Sequence, residues 1–154
     1  MKSVNTIILI VGLLRAEICR AYYKDDCKEE IELLESLGSE IWLETKCTTD
    51  QPMGPPWVCG WLDINHCIGL SADKKLIYQK DGNFGEHCQG CGFYEDDPTV
   101  MTCECLLRTD PNGVQVWEAA EIDTDYIIST DRATGFTKCF DYTGKKCPTP
   151  PTIA

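Results

Sequence analysis

The chain has 154 residues, of which 25 are acidic and 14 are basic, so its formal net charge at pH 7 is −11. A surface of that sign repels phosphate groups, which argues against nucleic acids and anionic membranes as partners. It equally disfavours sulfated or sialylated polymers, whereas neutral ligands remain compatible with it.

The first 21 residues have the three parts of a secretory signal peptide. Lys2 supplies the basic start, an apolar run extends from Ile7 to Leu14, and Cys19 and Ala21 are the small residues of a cleavage position. The apolar run is too short to span a bilayer as a helix. We therefore expect cleavage after Ala21 and a secreted mature chain with no membrane contact. A membrane-associated or buried N-terminal helix is the alternative.

Cysteine is abundant in this chain. It contains 11 cysteines, and cleavage of the signal peptide removes Cys19 and leaves ten. An even number in a small secreted chain indicates a disulfide framework. The spacings Cys88-x2-Cys91 and Cys103-x-Cys105 also suit a tetrahedral zinc site. In an oxidising compartment we expect two disulfides across a hairpin instead, Cys88–Cys105 and Cys91–Cys103.

The first element of the mature chain is predicted to be a helix over residues 26–37. Ile31, Leu34 and Leu37 recur there at three-residue spacing, and Gly38 follows as a terminator. We interpret this helix as an insertion into a unit that otherwise favours strands.

The later segments favour strands and short turns. Residues 75–79 have the pattern of a short apolar strand, and residues 114–117 alternate β-branched or aromatic side chains with polar ones after a turn-forming sequence at 110–113. Asp63 and Asp123 each begin a short segment typical of a helical-turn entry, because short polar side chains cap free backbone N–H groups.

Several markers recur about sixty residues apart. Trp57, Leu62 and Asp63 are followed, each sixty positions later, by residues of the same kinds. An aromatic residue also stands four positions before both Cys27 and Cys88, and this correspondence pairs Cys27 with Cys47. Such self-similarity indicates an internal duplication. The later copies of the first three residues are Trp117, Ile122 and Asp123.

This duplication sets the expected domain organisation and fold class. We predict one domain of the all-β class with short helical turns and multiple disulfides, followed by a Pro/Thr-rich tail. The domain spans residues 22–140, its two repeats span about 22–80 and 81–140, and the tail spans 141–154.

Five parts of the sequence carry a recognisable signature. In chain order they are Leu62–Gly69, Gly82–Phe84 followed by Cys88, Cys88–Cys91 with Thr102–Cys105, Ile122–Asp125, and Gly135–Cys139. Together they resemble the cyanovirin-N family, in particular its secreted fungal members. The resemblance implies an elongated, pseudo-symmetric domain in which two repeats exchange strands. It also implies binding of mannose-containing oligosaccharides or glycoproteins at one or both ends, with no metal, no cofactor and no catalysis.

The resemblance extends the disulfide assignment. Cys67 and Cys139 both occupy family positions that carry extra cysteines, which implies a bond between them. Cys59 and Cys147 are then left and are paired by exclusion.

The resemblance also implies a main carbohydrate site. Arg108, three residues after Cys105, falls at a family sugar-contact position. An arginine flanked by carboxylates offers oriented donors, while the carboxylates accept from vicinal hydroxyls. The alternative is an ordinary surface ion pair of Arg108 with Glu86 or Asp110. The residues carried over to this site are Gly69, Leu70, Asp73, Gly82, Asn83, Glu86, His87, Arg108 and Asp110.

A second, pseudo-symmetric site is expected to bind sugar more weakly. Its turn lacks the asparagine expected from the resemblance and carries the inserted residues Arg132–Thr134. The residues carried over to this second site are Asp25, Asp26, Thr48, Thr49, Thr130 and Asp131.

Neither histidine, His66 or His87, lies in a recognisable nucleophile or metal motif, and no sequence feature pairs two carboxylates as acid and base. We therefore expect a secreted, non-enzymatic lectin for neutral mannose-type glycans. The alternative is a secreted cysteine-rich interaction module that keeps the fold without binding sugar. The chain is expected to be a monomer or a domain-swapped dimer, opened at a hinge near residues 79–82.

Overall fold

The structure, a computed structural model, describes residues 23–27, 31–35 and 39–148. The predicted signal peptide at 1–21 and residues 149–154 of the predicted tail lie outside these ranges. Within them the chain is mostly β-strand, as predicted, with one short helix, α1 (Tyr23–Asp26). None of the described helices is long and apolar enough to cross a membrane.

The described strands pair antiparallel in four sheets. In chain order they are β1 (Glu32–Glu35), β2 (Ile41–Thr48), β3 (Trp57–Asp63), β4 (Ile68–Leu70), β5 (Leu76–Tyr78), β6 (Cys88–Phe93), β7 (Val100–Thr109), β8 (Gln115–Asp123), β9 (Ser129–Asp131), β10 (Phe136–Cys139), β11 (Tyr142–Thr143) and β12 (Lys145–Lys146). The sheet orders are β1-β2-β3-β12, β4-β5, β6-β7-β8 and β11-β10-β9.

Three 3-10 turns connect these sheets. The first is Ile64–His66, the second is Phe84–Glu86 and the third is Thr124–Tyr126. The carboxylate of Asp63 accepts a hydrogen bond from the backbone N–H of Asn65 at 3.1 Å, and that of Asp123 accepts one from Asp125 at 3.0 Å. Both aspartates therefore act as the predicted N-caps.

Burial alternates along the longest strand of the first sheet. In β2 the side chains of Ile41, Leu43, Thr45 and Cys47 are buried, and the residues between them are more exposed. Because successive side chains of a strand point to opposite faces, one face of this sheet covers the core.

The β4–β5 and β9–β10 hairpins each pack against strands that are distant in sequence. The β9–β10 hairpin lies against β2 and β3, and the β4–β5 hairpin lies beside β8 and the second 3-10 turn. The first contact is close, because a Cβ added to Gly60 would lie 3.1 Å from Cδ1 of Phe136. One hydrophobic core therefore draws residues from both halves of the chain, including the fully buried Tyr23, Leu62, Phe84 and Met101.

Five disulfides join the described cysteines, and they are the five pairs expected. The register places Cys88 directly opposite Cys105 on β6 and β7. The zinc alternative for this hairpin is wrong, because its four sulfurs are bonded in pairs and offer no thiolate ligands. The disulfides are Cys27–Cys47, Cys59–Cys147, Cys67–Cys139, Cys88–Cys105 and Cys91–Cys103.

The predicted helix over 26–37 is wrong where the structure describes this range. Residues Glu32–Glu35 form strand β1, which pairs with β2 from Glu44 back to Ile41. Helical spacing of a few apolar residues is a weak signal, and the partner strand overrides it. Leu33 packs on the core from this strand.

Two short strands lie in the first part of the predicted tail, 141–154. Strand β11 pairs with β10, and β12 pairs with the edge of β3. Cys147 donates its backbone N–H to the carbonyl of Cys59 at 3.1 Å and is also bonded to it through sulfur. Strands thus occupy residues 142–143 and 145–146, whereas the Pro/Thr-rich sequence begins at Pro148.

Candidate functional site

Part of the first predicted carbohydrate site is brought together by strand β4. Gly69 on β4 forms an isolated β-bridge with Asn83, which has a left-handed backbone with φ of 49°. Gly82 packs so closely on the Gly69 backbone that any Cβ at position 82 would overlap it. Leu70 follows Gly69 on the same strand. These four residues form a rigid backbone cradle with few polar side chains.

The polar members of the first site have separate surroundings. Glu86 ends the second 3-10 turn, and the backbone carbonyl of His87 accepts the backbone N–H of Leu106 at 2.8 Å. Arg108 lies two residues further along β7, exposed, after an irregularity in the pairing with β8. Asp73 instead lines a groove with residues 118–121 of β8.

The expected contacts of Arg108 are not formed within the described residues. No ion pair there joins its guanidinium to Glu86 or Asp110. The carboxylate of Asp110 instead accepts the backbone N–H groups of Asn112 and Val114, both at 2.8 Å, and shapes the β7–β8 turn. Within the described part of the chain, Arg108 therefore has no carboxylate partner that fixes its orientation.

The second predicted site is assembled from three distant segments. Asp26, at the end of α1, is buried, and its carbonyl accepts the hydroxyl of Thr48 at 3.2 Å. The Cys27–Cys47 disulfide ties these two segments together. The hydroxyl of Thr130 on β9 lies 3.7 Å from the sulfur of Cys27.

Arg132, outside the predicted set, completes this group. Its Nη2 lies 2.6 Å from Oδ1 of Asp26 and its Nε lies 3.2 Å from Oδ2, so the pair is bidentate. The Asp26 side chain is 6% exposed, whereas that of Arg132 is 56% exposed. The hydrogen bond to Asp26 raises the pKa of Arg132. A guanidinium has five N–H donors, so three remain directed away from the buried carboxylate.

The β9–β10 turn fixes the position of Arg132. The carboxylate of Asp131 accepts the N–H of Ala133 at 3.1 Å, and its carbonyl accepts that of Gly135 at 2.7 Å. Gly135 has φ of 76°, a conformation that favours glycine. The carbonyl of Arg132 accepts the N–H of Asp50 at 2.9 Å, which links the turn to the loop after β2.

Further polar residues lie on the segments next to Arg132, the loop after β2 and the β9–β10 turn. Asp50 is exposed and close enough to Arg132 to favour its charged form. Asp131 and Thr49 are half-buried, and the hydroxyl of Thr49 accepts the N–H of Gln51 at 3.2 Å. Asp25, the remaining predicted member, is exposed on α1. A ligand here would meet fixed donors beside accepting carboxylates.

No family model matches the chain, and no curated protein matches it.

One cluster of described side chains has the spacing of a metal site. A carboxylate oxygen of Glu44 and the sulfurs of Cys59 and Cys147 lie within 4.8 Å of one another. The two sulfurs are bonded to each other, and Glu44 accepts the indole N–H of Trp61 at 2.5 Å. Metal binding by cysteine requires thiolates, so this cluster does not suit a metal while its disulfide is intact.

Proposed function

We propose that this protein is a secreted, non-catalytic carbohydrate-binding protein for neutral, mannose-type oligosaccharides. We further propose that its fold is the pseudo-symmetric, strand-exchanged arrangement of the cyanovirin-N family. The five disulfides are compatible with an extracellular location.

The order of the elements supports the proposed duplication. Three consecutive antiparallel strands, a 3-10 turn capped by an aspartate and a pair of short strands occur once as β1–β5 and again as β6–β10, and β12 adds a fourth strand to the first sheet. Each hairpin packs against the three consecutive strands of the other set. Such reciprocal packing is what an exchange of strands between two repeats would produce.

Two reciprocal polar contacts support the same arrangement. The side chain of Asn65, in the first 3-10 turn, accepts the N–H of Gly85 at 2.9 Å. Asp125, sixty residues later in the third 3-10 turn, forms an ion pair with Lys24 at 3.0 Å. Each turn therefore contacts the beginning of the opposite proposed repeat.

The observation that carries the carbohydrate proposal is the Asp26–Arg132 pair. Sugar hydroxyls both donate and accept hydrogen bonds, so a site needs both kinds of partner. Arg132 supplies three oriented N–H donors, and the carboxylate of Asp50 supplies an acceptor nearby. A surface of net negative charge favours a neutral ligand over an anionic one. This group is a stronger candidate than the one around Arg108.

A conservative substitution tests this site with little disturbance of the buried carboxylate. Arg132→Lys keeps a positive charge for Asp26 but loses the planar fork and two donors. Because hydrogen bonds to charged groups contribute about 1.5–3 kcal/mol, we expect oligomannose affinity to fall at least about tenfold. Titration calorimetry with thermal melts would measure this, with Arg108→Lys as the matched control on the other candidate site.

The results of these titrations distinguish three possibilities: a glycan site at Arg132, a glycan site at Arg108, and a protein that binds no glycan. A loss confined to Arg108→Lys would move the proposed site to the β7 end. Absence of binding by the wild-type protein on an array of neutral glycans would refute the carbohydrate proposal.

One observation favours the alternative of a protein-interaction module. Ile77, Tyr78 and Tyr126 are exposed, and the two tyrosine rings lie 6.4 Å apart. Exposed aromatic side chains are common at protein interfaces. Two results together would support this function: the wild-type protein binds no glycan on the array, and Tyr126→Ser abolishes its binding to a protein partner.

A further inference from the structure

A groove lies between the loop after β2 and the β9–β10 hairpin. It has a volume of about 350 Å3. Its lining is more apolar than polar, and it includes Pro55, Trp57, Val58, Phe136 and Thr134. Ligand sites begin at about 300 Å3, so the groove has the volume of a small one.

The floor of the groove is held in place by close packing on glycines. Phe136 lies over Gly60, where a Cβ would come within 3.1 Å of the ring. A Cβ at Gly135 would lie 3.0 Å from Cβ of Val58. Phe136 and Val58 are therefore fixed parts of the lining, and a ligand would not have to order them.

One wall of the groove is a proline-rich loop closed by its own hydrogen bonds. The N–H of Thr49 is donated to the carbonyl of Pro56 at 3.4 Å, and that of Gly54 to Gln51 at 3.3 Å. This loop joins β2 to β3 and contains three prolines, Pro52, Pro55 and Pro56.

Polar groups stand at the rim above the aromatic floor. The amide nitrogen of Gln51 donates to the carbonyl of Ala133 at 3.0 Å, which orients the side chain and leaves its oxygen as an acceptor. Lys146 is exposed at the opposite side of the lining and has no ion-pair partner among the described residues. The groove thus offers an acceptor, a donor and an apolar face together.

The groove adjoins the Asp26–Arg132 pair. Asp50 and Gln51 are consecutive residues. The backbone N–H of Asp50 donates to the carbonyl of Arg132, and the side-chain amide of Gln51 donates to the carbonyl of Ala133. The single turn Asp131–Gly135 therefore has the guanidinium at its start and the groove lining at its end.

We propose that this groove is a second subsite of the same glycan site, which binds the next pyranose ring of a neutral oligosaccharide. The apolar face of the ring would lie on Trp57 and Phe136, and its hydroxyls would meet the Gln51 oxygen and the Lys146 ammonium. This inference rests on the proposed carbohydrate function. A mixture of an aromatic floor and separate rim donors and acceptors matches a sugar ring, which has an apolar face and a polar edge.

The test compares methyl α-mannoside with an α-linked mannobiose by titration calorimetry. The wild-type protein should bind the disaccharide more tightly. In Trp57→Leu the affinity for the disaccharide should fall about three- to tenfold, towards that of the monosaccharide, because aromatic contacts contribute about 0.5–1.5 kcal/mol. Trp57→Phe should retain most of the difference.

Trp117→Leu is the matched control, because Trp117 occupies the corresponding position sixty residues later. Gln51→Ala removes an exposed side chain and its hydrogen bond to the carbonyl of Ala133, and it serves if Trp57→Leu does not fold. Equal disaccharide-to-monosaccharide affinity ratios in wild type, Trp57→Leu and Gln51→Ala would overturn the subsite but leave the Arg132 site intact. If wild type binds neither sugar, the proposed function itself fails.

Discussion

Arg108 and Arg132 differ in the contacts that orient their guanidinium groups. This difference decides which of them can form a preorganised binding site. Arg108 lies exposed on β7 with no carboxylate partner in the described part of the chain. Arg132 is held by two hydrogen bonds to the buried Asp26. The sequence gives no signal for this pair, because its members stand 106 positions apart. Only the packing of the β9–β10 hairpin on α1 and β2 unites them.

Asp125 is a buried carboxyl where the corresponding residue of the first turn, Asn65, is an amide. Its side chain is 3% exposed, and Lys24 contacts its carboxylate through an ion pair at 3.0 Å and through its backbone N–H. Burial raises the pKa of Asp125 above its ordinary value of 3.8, and the pairing with Lys24 opposes this shift only in part. The ionised form is therefore disfavoured in the folded state.

We predict that Asp125→Asn stabilises the protein at pH 7 by about 1 kcal/mol, because it removes a poorly solvated buried charge. A raised folded-state pKa gives a contribution to stability that is fully present below 3.8 and is lost as the pH rises through the folded-state value. Urea unfolding from pH 3 to pH 7 should show this loss in the wild type and not in the variant.

The reciprocal variant, Asn65→Asp, is the control for that prediction. Its ionised form cannot donate to the carbonyl of Ser39, which the amide does at 2.8 Å. It should therefore destabilise the protein at pH 7 and do so less at low pH. Destabilisation by Asp125→Asn at pH 7 would show that the Lys24 pair outweighs the cost of burial.

At the scale of elements, alternating strands were predictable and the short edge strands were not. The short apolar segment at 75–79 and the alternating segment at 114–117 after its turn residues are local signals, and they lie in β5 and at the start of β8. Strand β1 exists because β2 offers an unpaired edge, and β12 exists because β3 does. Neither partner is visible in the local sequence, and 26–37 was therefore predicted to be a helix.

Gly82 shows how the two hairpin regions depend on close backbone contact. We predict that Gly82→Ala destabilises the protein by about 1–3 kcal/mol or more, because the new methyl group would overlap the backbone of Gly69. Gly92→Ala is the matched control, since a Cβ there has no neighbour within 4 Å. Thermal and urea unfolding of both variants would measure the difference. Equal stability of the two would mean that the 79–83 segment shifts freely to accommodate a side chain.

At the scale of the whole molecule, both proposed repeats contribute to one core and are joined by covalent bonds. Cys59–Cys147 and Cys67–Cys139 each connect residues from different halves of the chain. Tyr23 from the beginning of the chain donates to or accepts from Thr124 at 2.8 Å, both fully buried. The even cysteine count and the hairpin spacing predicted a disulfide framework and the two bonds between β6 and β7, because cysteines that face each other in a hairpin are set by local sequence. The internal repeat predicted Cys27–Cys47. The pairs Cys67–Cys139 and Cys59–Cys147 followed only from the family resemblance and by exclusion, because the packing of distant segments unites them.

The arrangement predicts that neither half folds alone. Residues 22–80 and 81–154, expressed separately, should lack native-like circular dichroism and a cooperative thermal transition, because each would expose the face on which the other half's hairpin packs. Small units also bury proportionally less apolar surface on folding. Mixing the halves under oxidising conditions should restore structure if their hairpins exchange, and Cys67–Cys139 should then form between the two fragments. Two independently stable halves would contradict both the exchange and the single core, and the sites that the exchange assembles would have to be sought within each repeat.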